Sequence, residues 1–226
     1  MIRIDHFSLA VQNVYEASDR LRKETGLGFY DGGYSASGTA SRIFPLGGPC
    51  YIQLEGIVAV RDLANPANKA LQLLRDQVSK GDCFRGFALG TDSLEELQIE
   101  AQRLKLPVTS NPAAGRTLSD GSHVVVSGAG SATDHWPRGL PIWNYFHEPG
   151  RHPAGRPVLS MPGLIQPLGL AEVELGGDED EVTRWIGPTA ALLPLRFSKK
   201  APGVHSLTIR AATGNVRIER PSVNGI

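Results

Sequence analysis

The sequence predicts an α+β protein built from two paired β-α-β-β-β modules, with an additional β-α-β-β segment at its C-terminal end. Three observations carry that reading: short runs of alternating apolar and polar residues, helix-start signals directly after the first run of each unit, and a repeat of the whole layout. Composition agrees, because 26 Gly and 16 Pro in 226 residues favour turns over long helices. At roughly 100 to 200 residues per domain, the length allows one large domain or two small ones.

In chain order, residues 2–11 are rich in strand formers and alternate Phe7, Leu9 and Val11 against His6, Ser8 and Ala10. Asn13 reads as a helix N-cap with Glu16 closing a capping box, and Val14, Ala17 and Leu21 form the apolar stripe of a helix ending near Gly26. Residues 27–34, 41–46 and 51–55 supply three more strands. Residues 62–80, with Leu71, Leu74 and Val78 at helical spacing, are an inserted helix joining the first two units. The layout then recurs: residues 85–92 match 6–13, Asp92 is the N-cap, Glu95 closes the box, and Leu94, Leu97, Ala101 and Leu104 make the stripe. Asp92 against Asn13 sets an offset of 79. Strands at 107–108, 123–126 and 140–146 complete the second unit.

A weaker third copy starts at 170–175, continues through Asp178, Glu181, Val182, Trp185 and Ile186 as a capped helix, and ends in a hairpin around Thr213-Gly214-Asn215. The proline-rich stretch 148–168, with Arg151, His152 and Arg156, reads as an ordered linker crossing the surface. The expected division is therefore 1–60 first module, 61–81 connecting helix, 82–148 second module, 149–168 linker, and 169–226 C-terminal segment.

Lys+Arg and Asp+Glu balance at 23 each, so no global field draws the chain to nucleic acid or an acidic membrane, and a small-molecule ligand is expected. Charges throughout residues 1–25 leave no room for the apolar centre of a signal peptide. The uncharged run 157–171 is shorter than the roughly 18 apolar residues of a membrane span. Cys50 and Cys83 are too few for a disulfide scaffold. A cytoplasmic protein with reduced, buried thiols is the expectation.

Several segments, in their order and spacing, resemble one family: Ile4-Asp5-His6-Phe7-Ser8-Leu9-Ala10-Val11, residues 38–46, Tyr51-Ile52-Gln53-Leu54-Glu55, and Leu140-Pro141-Ile142-Trp143. This is the vicinal oxygen chelate superfamily of glyoxalases, bleomycin-resistance proteins and dioxygenases, and within it the glyoxalase-like subgroup. The resemblance covers most of residues 1–155. It implies that the modules join their sheets into a cup, whose concave face takes a divalent metal and a substrate with two neighbouring oxygens. It leaves the activity open among lyases, isomerases, dioxygenases and binding proteins that sequester a small molecule without chemistry. A homodimer is within its range, although two modules in one chain complete a cup alone.

Strand parity supports the same site, because residues at i and i+2 share a face. His6 and Ser8 share one, and Tyr51, Gln53 and Glu55 another. A neutral imidazole and a carboxylate suit Zn, Mn, Fe or Ni. The second half departs from the pattern: the position matched to His6 is Arg85, which cannot ligate, and that matched to Glu55 is Phe146 or, one residue on, His147. A site of His6, Glu55 and His147, with Glu55 also moving a proton, is one reading. In the other, Arg85 binds a substrate anion or pairs with Glu55, and Tyr51, Trp143 and Tyr145 line a metal-free binding cup. A third is that the aromatic loop 136–143 docks a partner.

Overall fold

Phe7 and Leu9 project from one face of the first strand, and the helix that follows brings the apolar groups that cover them. In the computed structural model, which describes residues 1–35, 38–58, 69–111, 124–158 and 162–225, that strand is β1 (Arg3–Ala10). Helix α1 (Val14–Thr25) adds Val14, Ala17 and Leu21 to the same buried cluster. Asn13 caps α1, accepting the N–H groups of Tyr15 and Glu16, and Gly26 closes it in the left-handed region at φ 72°. β2 (Tyr30–Tyr34), β3 (Thr39–Pro45) and β4 (Tyr51–Ile57) complete the module; β4 returns parallel to β1, and β3 and β2 extend the sheet antiparallel.

Helix α2 (Lys69–Val78) leads into the second module, β5 (Cys83–Gly90), α3 (Leu94–Leu104), β6 (Val108–Asn111), β7 (Val126–Ala129), the short α4 (Ala132–His135) and β8 (Ile142–Phe146). β8 is parallel to β5 as β4 is to β1, and β1 meets β5 antiparallel. One eight-stranded sheet results, in the order β2-β3-β4-β1-β5-β8-β7-β6, with an approximate two-fold between β1 and β5.

The C-terminal segment forms a separate four-stranded sheet of β9 (Pro167–Gly176), β10 (Leu195–Ser198), β11 (Gly203–Ala211) and β12 (Val216–Glu219), with α5 (Glu179–Ile186) after β9. It holds one more strand than the sequence suggests, since β10 is only four residues long and follows a proline. It is not a third copy of the module: β9 pairs in parallel with the strand directly after its helix, whereas β1 pairs in parallel with the last strand of its unit. Val173, Leu207 and Ile209 of this sheet share one continuous core with Phe7, Phe84 and Phe87 of the first.

The repeat is displaced by one residue from the sequence alignment. Phe7 faces Phe87 across the central strand pair, and the cap of α3 is Ser93, whose hydroxyl accepts the Glu96 N–H, so equivalent residues lie 80 apart rather than 79. Asp92 sits one position earlier and gives its own N–H to Glu96. A β-bulge interrupts each central strand at the same place in the repeat. Ile4 pairs with Leu89 and His6 with Ala88, which leaves Asp5 extra; Ser8 pairs with Gly86 and Leu9 with Phe84, which leaves Arg85 extra. Each bulge keeps two apolar residues three apart, Ile4 with Phe7 and Phe84 with Phe87, in one core, and frees the charged residue from strict alternation.

The counterpart of His6 is therefore Gly86. A side chain there would run into the indole of Trp136, which lies over the strand and donates its Nε1–H to the Phe87 carbonyl at 2.9 Å. Cys50 and Cys83 are buried free thiols, and burial pushes Cys83 up to about 11. Among the described residues no helix is long and apolar enough to cross a membrane. His123 and residues 59–68 lie outside the described residues. Gly86→Ala is expected to destabilise the fold by about 2 kcal/mol, because the new methyl overpacks against the indole. Pairing it with Trp136→Leu should recover part of the loss. Urea unfolding checks this, and an unchanged midpoint for Gly86→Ala would mean that the indole does not hold this position.

Candidate active site

The inner face of the eight-stranded sheet encloses a cavity of about 390 Å³. His6 of β1 and Tyr51, Gln53 and Glu55 of β4 form one wall, and Val126, Gly128, Asn144 and Phe146 of β7 and β8 form the facing one. Arg151, Pro153 and Arg156 close it from above. These last residues correct the reading of 148–168 as a surface linker. The segment crosses the cup: the Tyr30 hydroxyl donates to the Pro153 carbonyl at 2.7 Å, and the Phe146 ring lies edge-on to His152 at 4.5 Å. His152 is only 9% exposed.

Of the residues expected from sequence, His6, Tyr51, Gln53 and Glu55 meet in the cavity. Ser8 does not; it is fully buried beside Gly86, and its hydroxyl has no hydrogen-bond partner among the described residues. β8 presents Ile142, Asn144 and Phe146 on its inner face, so Trp143, Tyr145 and His147 take the other. Trp143 is fully buried in the core, Tyr145 packs against that core, and His147 is exposed with Nε2 at 2.8 Å from the Ser127 hydroxyl. Trp136 and Trp143 are both buried, so the loop between them offers no aromatic docking surface.

Arg85 stands outside the cavity lining and reaches it through Glu55. Its Nη1 donates to Glu55 Oε2 at 2.5 Å, its Nε to Gln77 Oε1 at 2.9 Å, and its guanidinium lies 5.2 Å from the Trp136 ring centroid. Thr39 donates to the other Glu55 oxygen at 3.0 Å. Glu55 is thus a neutralised, immobilised carboxylate. Arg156 lines the same cavity, and its guanidinium has no ion-pair or hydrogen-bond partner among the described residues.

The group that the sequence reading passed over is Asp5. The bulge lets its carboxylate reach sideways, where it accepts from His6 Nδ1 at 2.6 Å, from His152 Nε2 at 2.7 Å and, more weakly, from Asn144 Nδ2 at 3.5 Å. It is completely buried. Burial would raise its pKa, but the hydrogen bonds from His152 and His6 outweigh that and hold it down to about 2. An ionised Asp5 keeps a proton on His6 Nδ1, so the neutral ring has Nε2 as its acceptor; the ring is stacked 5.0 Å from Tyr51 on the cavity wall. The sequence carried one signal for this: Ile4 and Phe7, like Phe84 and Phe87, break the two-residue period at the same place in both modules.

A divalent metal does not fit this set of side chains. Among the described residues no three His, Cys, Asp or Glu side chains lie together so as to hold an ion. Glu55 is paired with a guanidinium that would repel a cation, and the second-module counterparts of His6 and Glu55 are Gly86 and Asn144, neither of which supplies a histidine or carboxylate ligand. His147, the third expected ligand, is on the outer face.

Two β-α-β-β-β modules closed around one cavity are the architecture expected from the resemblance to glyoxalase-like proteins. The chain belongs to the glyoxalase-like domain family, whose model matches residues 4–189. No curated protein matches it. Among solved structures it is similar to a hypothetical protein from Staphylococcus aureus at 12% identity and a TM-score of 0.54, covering 97% of this chain and 86% of that one. The fold that they share thus includes the C-terminal sheet. Methylmalonyl-CoA epimerase from Mycobacterium tuberculosis matches at 13% identity and a TM-score of 0.42 over 63% of this chain and 85% of that one. A variant of the Streptomyces coelicolor enzyme with 2-nitronate-propionyl-CoA matches at 15% and 0.43 over 64% and 95%.

Asp5 supplies a pH test. Its folded value of about 2 lies below the ordinary 3.8, so its contribution is fully present above pH of about 4 and is lost as pH falls toward 2, on the order of 2 kcal/mol in all. The stability gap between the native protein and Asp5→Asn, measured by urea unfolding, should narrow by about that amount between pH 5 and pH 2. A gap that stays constant would show that the carboxylate is not held low.

Proposed function

We propose that this glyoxalase-like protein is a metal-independent enzyme that moves a proton on a small, oxygen-rich, anionic metabolite. The observation that carries the reading is the Asp5–His6 pair: a buried carboxylate holds Nδ1 of an imidazole that lines the cavity, so the neutral ring has Nε2 as its acceptor. That is the arrangement of a general base held by an orienting acid. His6 Nε2 takes the proton from a carbon next to a carbonyl, and the electron pair left behind makes an enediolate. The proton returns to the same carbon, giving epimerisation, or is delivered to the neighbouring carbon while the hydroxyl proton passes to the other oxygen, giving isomerisation.

The rest of the cavity suits such a substrate. The side-chain amides of Gln53 and Asn144 are N–H donors for two neighbouring oxygens. With Glu55 cancelled by Arg85, Arg156 leaves the lining with an uncompensated positive charge, which favours a carboxylate on the ligand. Ile43, Val124 and Phe146 supply the apolar part of the wall.

Proton exchange tests this directly. Small hydroxy-carbonyl and 2-oxo carboxylates, incubated with the protein in heavy water, should lose the signal of the proton next to the carbonyl in their NMR spectra, at a rate that a chelator leaves unchanged. His6→Ala should slow that exchange by about 100-fold or more, and Arg156→Ala should mainly raise KM. Binding of these acids without exchange would replace the enzyme by a sequestering protein using the same cavity. Exchange that a chelator abolishes would overturn the metal-independent reading.

A further inference from the structure

We infer that His152 is a positioning residue for the base His6 and acts on it through Asp5; this rests on His6 being the base. His152 does not line the main cavity, where His6 stands. It borders a second recess of about 340 Å³. It therefore does not meet the substrate of the first cavity, yet its ring is buried and its Nε2 lies 2.7 Å from Asp5 Oδ1.

The direction of that hydrogen bond follows from the other side of the ring. His152 Nδ1 lies 3.2 Å from the Ala154 N–H, a donor that can only donate, so Nδ1 is the acceptor and the neutral ring carries its proton on Nε2. His152 is thus a fixed donor to Asp5 Oδ1. The acceptor capacity of Oδ2 is left to His6 Nδ1, with a weak share for Asn144. Each imidazole settles the tautomer of the next, with the carboxylate between them: His152 carries its proton on Nε2, Asp5 carries none, and His6 carries its proton on Nδ1. The geometry gives the proline-rich segment a part in catalysis that it performs without touching substrate. His152 is packed edge-on to Phe146 at 4.5 Å and to Tyr51 at 5.7 Å, and Pro153 beside it is held by Tyr30, so the segment is seated by both modules.

The tautomers are read by long-range ¹⁵N–¹H correlation spectra of histidine-labelled protein, which need no substrate. Native protein should show His6 protonated at Nδ1 and His152 at Nε2. In His152→Ala, Asp5 loses its fixed donor and His6 should shift toward the Nε2–H form, with kcat for proton exchange falling roughly tenfold or more while KM is held. His152→Gln keeps an N–H donor at similar reach and should restore both the spectrum and kcat. His6 protonated at Nε2 in the native protein would overturn the inference. So would a folded His152→Ala with His6 and kcat unchanged. Should His152→Ala fail to fold, the native spectrum and His152→Gln decide: the Nδ1–H form retained in both supports the assignment, and its loss in His152→Gln overturns it. Absence of any exchange substrate would remove the proposed reaction, and the spectra would still report on the His152–Asp5–His6 chain.

Discussion

A carboxylate sealed from water is the constraint around which this molecule is arranged. Taking a charged Asp5 out of solvent costs several kcal/mol unless hydrogen bonds replace the lost hydration. No single module supplies them: His6 is its neighbour on β1, Asn144 comes from β8 of the second module, and His152 comes from the segment that follows. The bulge on β1 turns Asp5 toward all three, since strict alternation would aim it away from His6. Closing the cup, seating the proline-rich segment and orienting the imidazole are consequently one event, and the fixed imidazole is its chemical product.

The approximate two-fold makes the design comparable with itself. Asp5 and Arg85 occupy equivalent bulges, and Asn144 and Glu55 occupy equivalent places on the last strand of each module. Each bulge residue reaches across to the last strand of the other half, Asp5 to Asn144 and Arg85 to Glu55. The same backbone geometry thus carries a carboxylate with an amide at one end and an ion pair at the other. The Arg85–Glu55 end also has Gln77, Thr39 and the Trp136 ring around it, so both charges are satisfied and neither is left to act on a ligand. The Asp5 end engages only Nδ1 of His6, whose ring lines the cavity. Asymmetry between two related sites separates the closed ion pair from the carboxylate–imidazole pair that the proposed reaction uses.

Much of this fold was legible in the sequence because its signals are local. Alternation gave β1 and β4 with the right faces, so His6, Tyr51, Gln53 and Glu55 were recognised together, and side-chain caps marked α1 and α5. Errors arose where one residue of register decides everything. Placing Trp143, Tyr145 and His147 in the cup rather than Asn144 and Phe146 was a single parity choice on β8, and it reversed three assignments at once. The offset of 79 had the same origin, because Asp92 and Ser93 are both good caps and only the tertiary structure selects the second. Asp5 was hidden differently: a charged residue beside a histidine on a strand looks solvent-facing until the bulge is recognised, and its partner His152 lies 147 residues away.

The charge balance of the cavity follows from the same arrangement. A metal site in such a cup would need both modules to point donors inward. Here the second module gives Gly86 under an indole and Asn144, while the first module's carboxylate is held by Arg85. The polar groups of the lining besides Glu55 include the His6 imidazole, the Gln53 and Asn144 amides, the Tyr30 and Tyr51 hydroxyls and the Arg151 and Arg156 guanidinium groups. Carbanion chemistry without a metal needs a base next to fixed positive or hydrogen-bonding groups that take the developing oxyanion charge. With Glu55 neutralised, an enediolate forming in this cavity meets no uncompensated negative side chain on the lining. In the proposed reaction the Arg85–Glu55 pair serves by cancelling a carboxylate of the lining that would oppose the developing charge.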